Sequence, residues 1–189
     1  MMRHVMLAAA AALALGACNP QGSGGPSLPT VQQGAQAPAT LTPAVGVRQA
    51  EITDEVRQQL ITNIGEQLNA IQERFAAGMA PPAGFTDVVV PMQPSTDHRF
   101  VVDLTGQTQY AFIGACDGDC TNIDIELIDM QTGGVVASDV LPDDYPVVQF
   151  SPPANGQYMV RVLMQTCTVA PCYAGARALA QGGAAAAPK

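Results

Sequence analysis

Asn122-Ile123-Asp124-Ile125-Glu126-Leu127 alternates apolar and polar residues from Ile123 onward. Successive side chains on a β-strand point to opposite faces, so Ile123, Ile125 and Leu127 share one face and Asp124 and Glu126 the other. That alternation marks a strand with one face on a core, the usual arrangement in antiparallel sheets. Just upstream is the tight loop Cys116-Asp117-Gly118-Asp119-Cys120. Downstream, Thr132-Gly133-Gly134 turns the chain back and Asp143-Asp144-Tyr145-Pro146 closes the segment. The folded part is expected to be built around residues 116–144.

Working outward, residues 85–90, 98–104, 107–114, 122–129, 135–138, 147–151, 158–165 and 173–179 read as strands. Thr105-Gly106, Thr132-Gly133-Gly134 and Pro152-Pro153-Ala154-Asn155-Gly156 separate several of them. About eight short strands with no helices between them predict a mainly β fold, an antiparallel β-sandwich of jelly-roll-like form over residues 83–180. Tyr158, Val160, Val162 and Met164 fall on one face.

Before the strands the period changes. Ile52, Val56, Leu60, Ile64, Leu68, Ile71 and Phe75 recur at spacings of three and four, which predicts one amphipathic helix within residues 51–79. Thr53 is suited to the N-cap, Asp54 and Glu55 to the positive end of the helix dipole, and Gly78 with Pro81-Pro82 to the stop. The stripe Val56, Leu60, Ile64, Leu68, Ile71 and Phe75 has two readings, a face packed on its own domain or a face presented to a partner.

The N-terminus is read separately. Residues 1–17 carry Arg3 and His4, then an Ala- and Leu-rich run, then small residues, the pattern of a secretory signal peptide. The run is too short to span a bilayer as a permanent helix. Leu15-Gly16-Ala17-Cys18 resembles the bacterial lipobox, which implies that Cys18 is lipidated and becomes the N-terminus. Asn19, in place of an Asp after that cysteine, implies sorting to the outer membrane, on its periplasmic face. Residues 19–50, rich in Pro, Gly, Gln, Ser and Ala, lack apolar periodicity and are expected to form a flexible tether with a reach of about 30 Å. Residues 181–189 are expected to be a disordered tail.

The net charge of −8, with a single lysine at Lys189, removes the basic footprint that nucleic-acid binding requires. Eight of the sixteen acids lie within residues 117–144, where there is no Lys or Arg. Such a concentration of charge is local, not a general solubility device.

A further resemblance is carried by Gly156-Gln157-Tyr158-Met159-Val160-Arg161-Val162, which is similar to the closing strand motif of bacterial pre-peptidase C-terminal domains. Asn122-Ile123-Asp124-Ile125-Glu126-Leu127, with Gly133-Gly134 and Ala137-Ser138-Asp139, resembles their central strand and hairpin. The likeness covers about residues 96–179. It implies a β-sandwich of the kind appended to secreted peptidases, some relatives of which bind calcium or extracellular polymers. No peptidase domain precedes it in this sequence, and the cysteines are not part of that family's general pattern.

With Cys18 lipidated, Cys116, Cys120, Cys167 and Cys172 remain, an even number in an exported protein, which predicts two disulfides. Three connectivities exist; Cys116 with Cys120 and Cys167 with Cys172 is preferred because each pair brackets a short loop between predicted strands. A four-thiolate zinc site is the competing use of the same residues. For the acids, a hairpin through Thr132-Gly133-Gly134 is expected to return Asp139, Asp143 and Asp144 toward Asp117 and Asp119, where Ca²⁺ would relieve their repulsion. The alternative is a solvated rim of turn-capping Asp residues.

Enzymatic readings find little support. Only His98 survives removal of the leader, there is no Trp to form a sugar platform, and the Gly-rich pieces lack a phosphate-loop lysine. The expected function is therefore a lipid-anchored envelope protein whose sandwich is a non-catalytic binding or structural module, with an envelope protein or polymer as partner. The alternative is a small periplasmic hydrolase, or a hydrolase accessory subunit, using the acidic cluster.

Overall fold

The computed structural model describes residues 25–182. The expected leader, Cys18 and the residues beyond Gly182 lie outside the described residues. Within them the elements run β1 (Arg48–Gln49), α1 (Asp54–Phe75), β2 (Met79–Ala80), β3 (Val88–Met92), β4 (Thr96–Leu104), β5 (Tyr110–Cys116), β6 (Cys120–Asp129), β7 (Val135–Asp139), β8 (Val147–Phe150), β9 (Gly156–Cys167), β10 (Val169–Ala170) and β11 (Cys172–Gln181). The eight expected strands correspond to β3 through β9 and β11, with bounds shifted by a few residues. β1, β2 and β10 have two residues each, too short for any periodicity to reveal.

Two antiparallel sheets face each other. One has the order β2-β11-β5-β8, with β3 sharing the β11 edge, and the other the order β4-β9-β6-β7. Between them lie Phe112, Ile123, Ile125, Leu127, Val160, Val162 and Met164, the inward sets expected for β6 and β9. This is a mainly β sandwich preceded by one helix.

Helix α1 covers the outer face of the first sheet. Ile64 and Leu68, one turn apart, are fully buried against Ala111, Ile113, Ala115, Tyr173 and Leu179, so β5 and β11 are buried on both faces. Small residues allow the close approach. A Cβ at Gly175 would overlap the Ile64 Cγ2 atom. Arg177 pins the helix by donating to Asn69 Oδ1 and Gln72 Oε1 at 2.8 Å each, while Asp87 holds its other nitrogens at 2.8 and 2.6 Å.

The helix is shorter than its stripe. Thr53 is the N-cap, extended at φ −72° and ψ 165°, and its Oγ accepts from Val56 N. Residues before it are committed elsewhere, since Ala50 N donates to Ala170 O and β1 pairs in parallel with β10. At the other end Ala76 leaves helical geometry, and Gly78, at φ +80°, turns the chain into β2.

The expected flexible tether is corrected over residues 25–50. Its first part, residues 25–41, is a strap laid on the outer face of the second sheet, and Arg48 to Ala50 pair with β10. It starts against Arg99 of β4, crosses to the β6–β7 turn and returns to the middle of the sheet at Ala39. Gln32 N donates to Thr132 O at 2.8 Å, and Val135 N donates to Gln36 O at 2.9 Å. Gly133, at φ +68°, lies so close to Thr30 that a Cβ would meet its carbonyl. Composition missed this because the strap is held through its main chain, which carries no apolar signature. The expected disorder from residue 181 is also corrected at Gln181, which ends β11 and donates to Gln109 O.

Candidate functional site

The two disulfides close one end of the sandwich. Cys116 is bonded to Cys120 and Cys167 to Cys172, each pair with Cα atoms 5.9 Å apart. The first joins β5 to β6 and the second β9 to β11, so each ties one sheet to the other. Cys120 and Cys167 are partners across the β6–β9 ladder, which places the bonds side by side. Their loops interlock. Asp117 Oδ2 accepts from Tyr173 N at 2.6 Å, and Asp117 N donates back to Tyr173 O at 3.0 Å. Thr168 N donates to Asp119 O at 2.8 Å, and the Thr168 hydroxyl donates to Asp119 as well.

The five carboxylates expected to converge do not form one cluster. Asp117 and Asp119 belong to the disulfide loops. Asp139 Oδ1 accepts from Leu141 N and Oδ2 from Val147 N, while Asp143 Oδ1 accepts from Tyr145 N, so these two hold the β7–β8 loop. Ile123 N donates to Asp143 O, drawing this loop toward β6 and Asp124, away from Asp117. Asp144, next in the same loop, lines a notch of about 230 Å³ beside Phe75 and Tyr145. Among the described residues no group of three or more His, Cys, Asp or Glu is placed to hold a metal ion. The expected calcium set is corrected: Asp117, Asp139 and Asp143 accept backbone N–H groups in separate loops, and Asp119 accepts the Thr168 hydroxyl.

Burial acts on two of the acids. Desolvation raises the Asp117 carboxyl above its ordinary value, against the lowering influence of the Tyr173 and Asp119 amides. Desolvation also raises Asp124, opposed by Gln165 Nε2 donating at 2.7 Å and reinforced by the negative charges of Glu126, Asp139 and Asp143. Asp124 Oδ1 and Asn122 Oδ1 are buried acceptors with no donor.

His98 turns toward the sandwich interior beside Phe100, its ring centroid 6.3 Å from that ring. Burial lowers its pKa, with Asp97 acting in the opposite direction, which favours the neutral imidazole. The helix stripe is also absorbed by the fold. Ile64 and Leu68 are fully buried, Leu60 and Ile71 pack on the same cluster, and Phe75 stacks on Tyr145 at 6.2 Å. Only Val56, 39% exposed, faces outward. The partner-facing reading of the stripe is therefore corrected to an internal one.

The arrangement that sequence reasoning missed lies under the strap. Arg99, Arg161 and Glu126 stand in one cross-strand row over β4, β9 and β6. Two arginines side by side repel, and Asp97 resolves this by accepting from Arg161 Nε and, at 2.9 Å, from Arg99 Nη2. Arg161 Nη1 donates to Glu126 Oε2 at 2.9 Å. Asp97, Glu126 and Arg161 are only 2, 3 and 4% exposed, which buried charges tolerate when paired and hydrogen-bonded. A signal was present in Tyr158-Met159-Val160-Arg161-Val162-Leu163-Met164, where Arg161 is the only polar residue of a run apolar on both faces. Such a run belongs to a strand covered on both sides.

At the centre of this row, both main-chain groups of Ala39 are bound by side chains. Ala39 N donates to Glu126 Oε1 at 2.8 Å, and Arg161 Nη1 donates to Ala39 O at 2.7 Å. The pair does for one residue of the strap what a neighbouring strand does in a sheet. Against known proteins, no family model matches the chain, and no curated protein matches it.

Proposed function

We propose that this protein is a lipid-anchored component of the bacterial cell envelope, on the periplasmic face of the outer membrane, whose β-sandwich is a non-catalytic binding or structural module. The observation that carries this reading is the pair of disulfides, one at each crossover between the sheets at the same end. Such bonds persist in oxidising compartments, in agreement with the leader-like residues 1–17 and with Cys18 in its lipobox-like setting. The engagement of Asp117, Asp119, Asp139 and Asp143 with loop groups supports a scaffolding role for the acids and leaves calcium out of the proposal. Two facing antiparallel sheets agree with the resemblance to pre-peptidase C-terminal domains, which stays part of the proposal.

The test is intact mass spectrometry of protein extracted from membranes, with and without reductant, alongside cell fractionation. The expected mass is that of a chain starting at Cys18 with acyl groups attached, gaining four hydrogens on reduction, two per disulfide. A soluble, unacylated chain retaining residues 1–17 would overturn the anchored reading.

A further inference from the structure

The strap and the face beneath it are unequal partners. None of residues 25–41 is fully buried, whereas Met159, Leu163 and Ile128 on the sheet below are fully buried and Arg161 and Glu126 nearly so. At Ala39 the strap contributes main-chain atoms and the sheet the side chains that bind them, while Gln32 and Gln36 meet the main chain of the β6–β7 turn. Recognition through a residue's N–H and C=O does not depend on which side chain that residue carries, only on an extended backbone and enough room. Pro38, just before Ala39, fixes its own φ and holds Ala37 in extended backbone, and it is itself half-buried.

We propose that the outer face of the β4-β9-β6-β7 sheet is a binding groove for an extended polypeptide segment in which a proline precedes the residue whose main chain is bound, and that residues 25–41 are its resident, displaceable occupant. This rests on reading the sandwich as a binding module and names its ligand class, a proline-containing extended segment of another protein. A second copy of this chain offers an identical strap and gains no contact over the tethered one, whereas a segment of another protein competes by making contacts that the resident strap lacks. The buried Arg161–Glu126 pair is the reading element. Arg99 and Asp97 set its orientation, and their charges with those of the pair sum to zero, so a neutral main chain suits the groove.

The probe is a fluorescent synthetic peptide with the sequence of residues 28–41, titrated into the full chain and into its Ala39→Pro variant. Proline at 39 lacks the N–H that Glu126 accepts, which weakens the resident strap without altering the groove. Loss of a hydrogen bond to a charged group corresponds to roughly tenfold or more in affinity, so the peptide is expected to bind the variant at least that much more tightly than the parent. A peptide carrying the same proline should lose binding by a similar factor. A folded variant that fails to bind the peptide, equal binding of the two peptides, or strap-exchanged dimers by size-exclusion chromatography with light scattering would overturn the proposal. An Ala39→Pro chain that does not fold would also overturn it, by making the strap part of the fold and not a ligand. The lipidation result above is independent of all these outcomes, so failure of the groove and failure of the envelope reading are distinguishable.

Discussion

The two outer faces of the sandwich are both covered, but by opposite chemistry. On one, helix α1 presses Ile64 and Leu68 into a bed of Ala111, Ala115 and Gly175, an apolar contact to which Arg177 adds hydrogen bonds to Asn69 and Gln72. On the other, a strap with no fully buried residue lies over Arg161, Glu126 and Asp97 and is held by its peptide groups. Apolar burial is non-directional and grows with area, so it favours a rigid, permanent cover. Hydrogen bonds to buried charges are directional and matched to particular atoms. Loss of a partner from such a set is costly, because it leaves a buried charge uncompensated.

That contrast can be broken most forcefully at its charged centre. Arg161→Ala leaves Asp97 and Glu126 buried without their shared cation, and a loss of about 3–5 kcal/mol is expected in a denaturant titration. A loss under about 1 kcal/mol would mean that the strap face opens to water and that its charges are solvated. Next in size, Ile64→Ala removes the residue most central to the helix face and should cost about 2–5 kcal/mol. The same truncation on the strap, Leu41→Ala, should cost under about 1 kcal/mol, because Leu41 is only half-buried and partial burial returns a fraction of the transfer free energy. Equal losses at the two positions would abolish the distinction between the covers. Thr53→Ala, which removes the side-chain acceptor at the helix start, is expected to cost about 1 kcal/mol and to leave the strap face unchanged by hydrogen exchange.

The smallest expected effect has the opposite sign. The Asp124 carboxyl is raised by burial, so the folded protein retains a proton that the unfolded chain has already released. Stability from this group is therefore highest below the unfolded pKa and falls as pH rises through the interval up to the folded one. Asp124→Asn removes that loss. Its melting temperature should exceed the parent's at pH 7, and the gap should shrink toward the acid end of the carboxyl range. A lower melting temperature for the variant at pH 7 would show that ionised Asp124 is stabilising.

Much of this molecule was legible in local patterns. Alternation located the eight main strands, Ile64 and Leu68 lay on the periodic stripe, Thr53 capped the helix, and each cysteine paired with its near neighbour in sequence. The acids were harder. The Thr132-Gly133-Gly134 hairpin formed as expected, yet Asp139 and Asp143 came to lie beside Asp124, and Asp117 turned to the Tyr173 amide. The spacing of carboxylates along a chain does not reveal which backbone N–H each will accept from.

Local pattern was enough for the periods and the turns: which residues share a face and where strands reverse. These follow from backbone geometry and from sterics acting over a few residues. What covers each face was set by packing between distant parts of the chain. The Ala39 contact joins positions far apart in the chain, to Arg161 and to Glu126, and uses peptide groups that every residue possesses. No side-chain pattern can encode a partner recognised by its main chain, so the strap read as a tether until the sheet beneath it was in place.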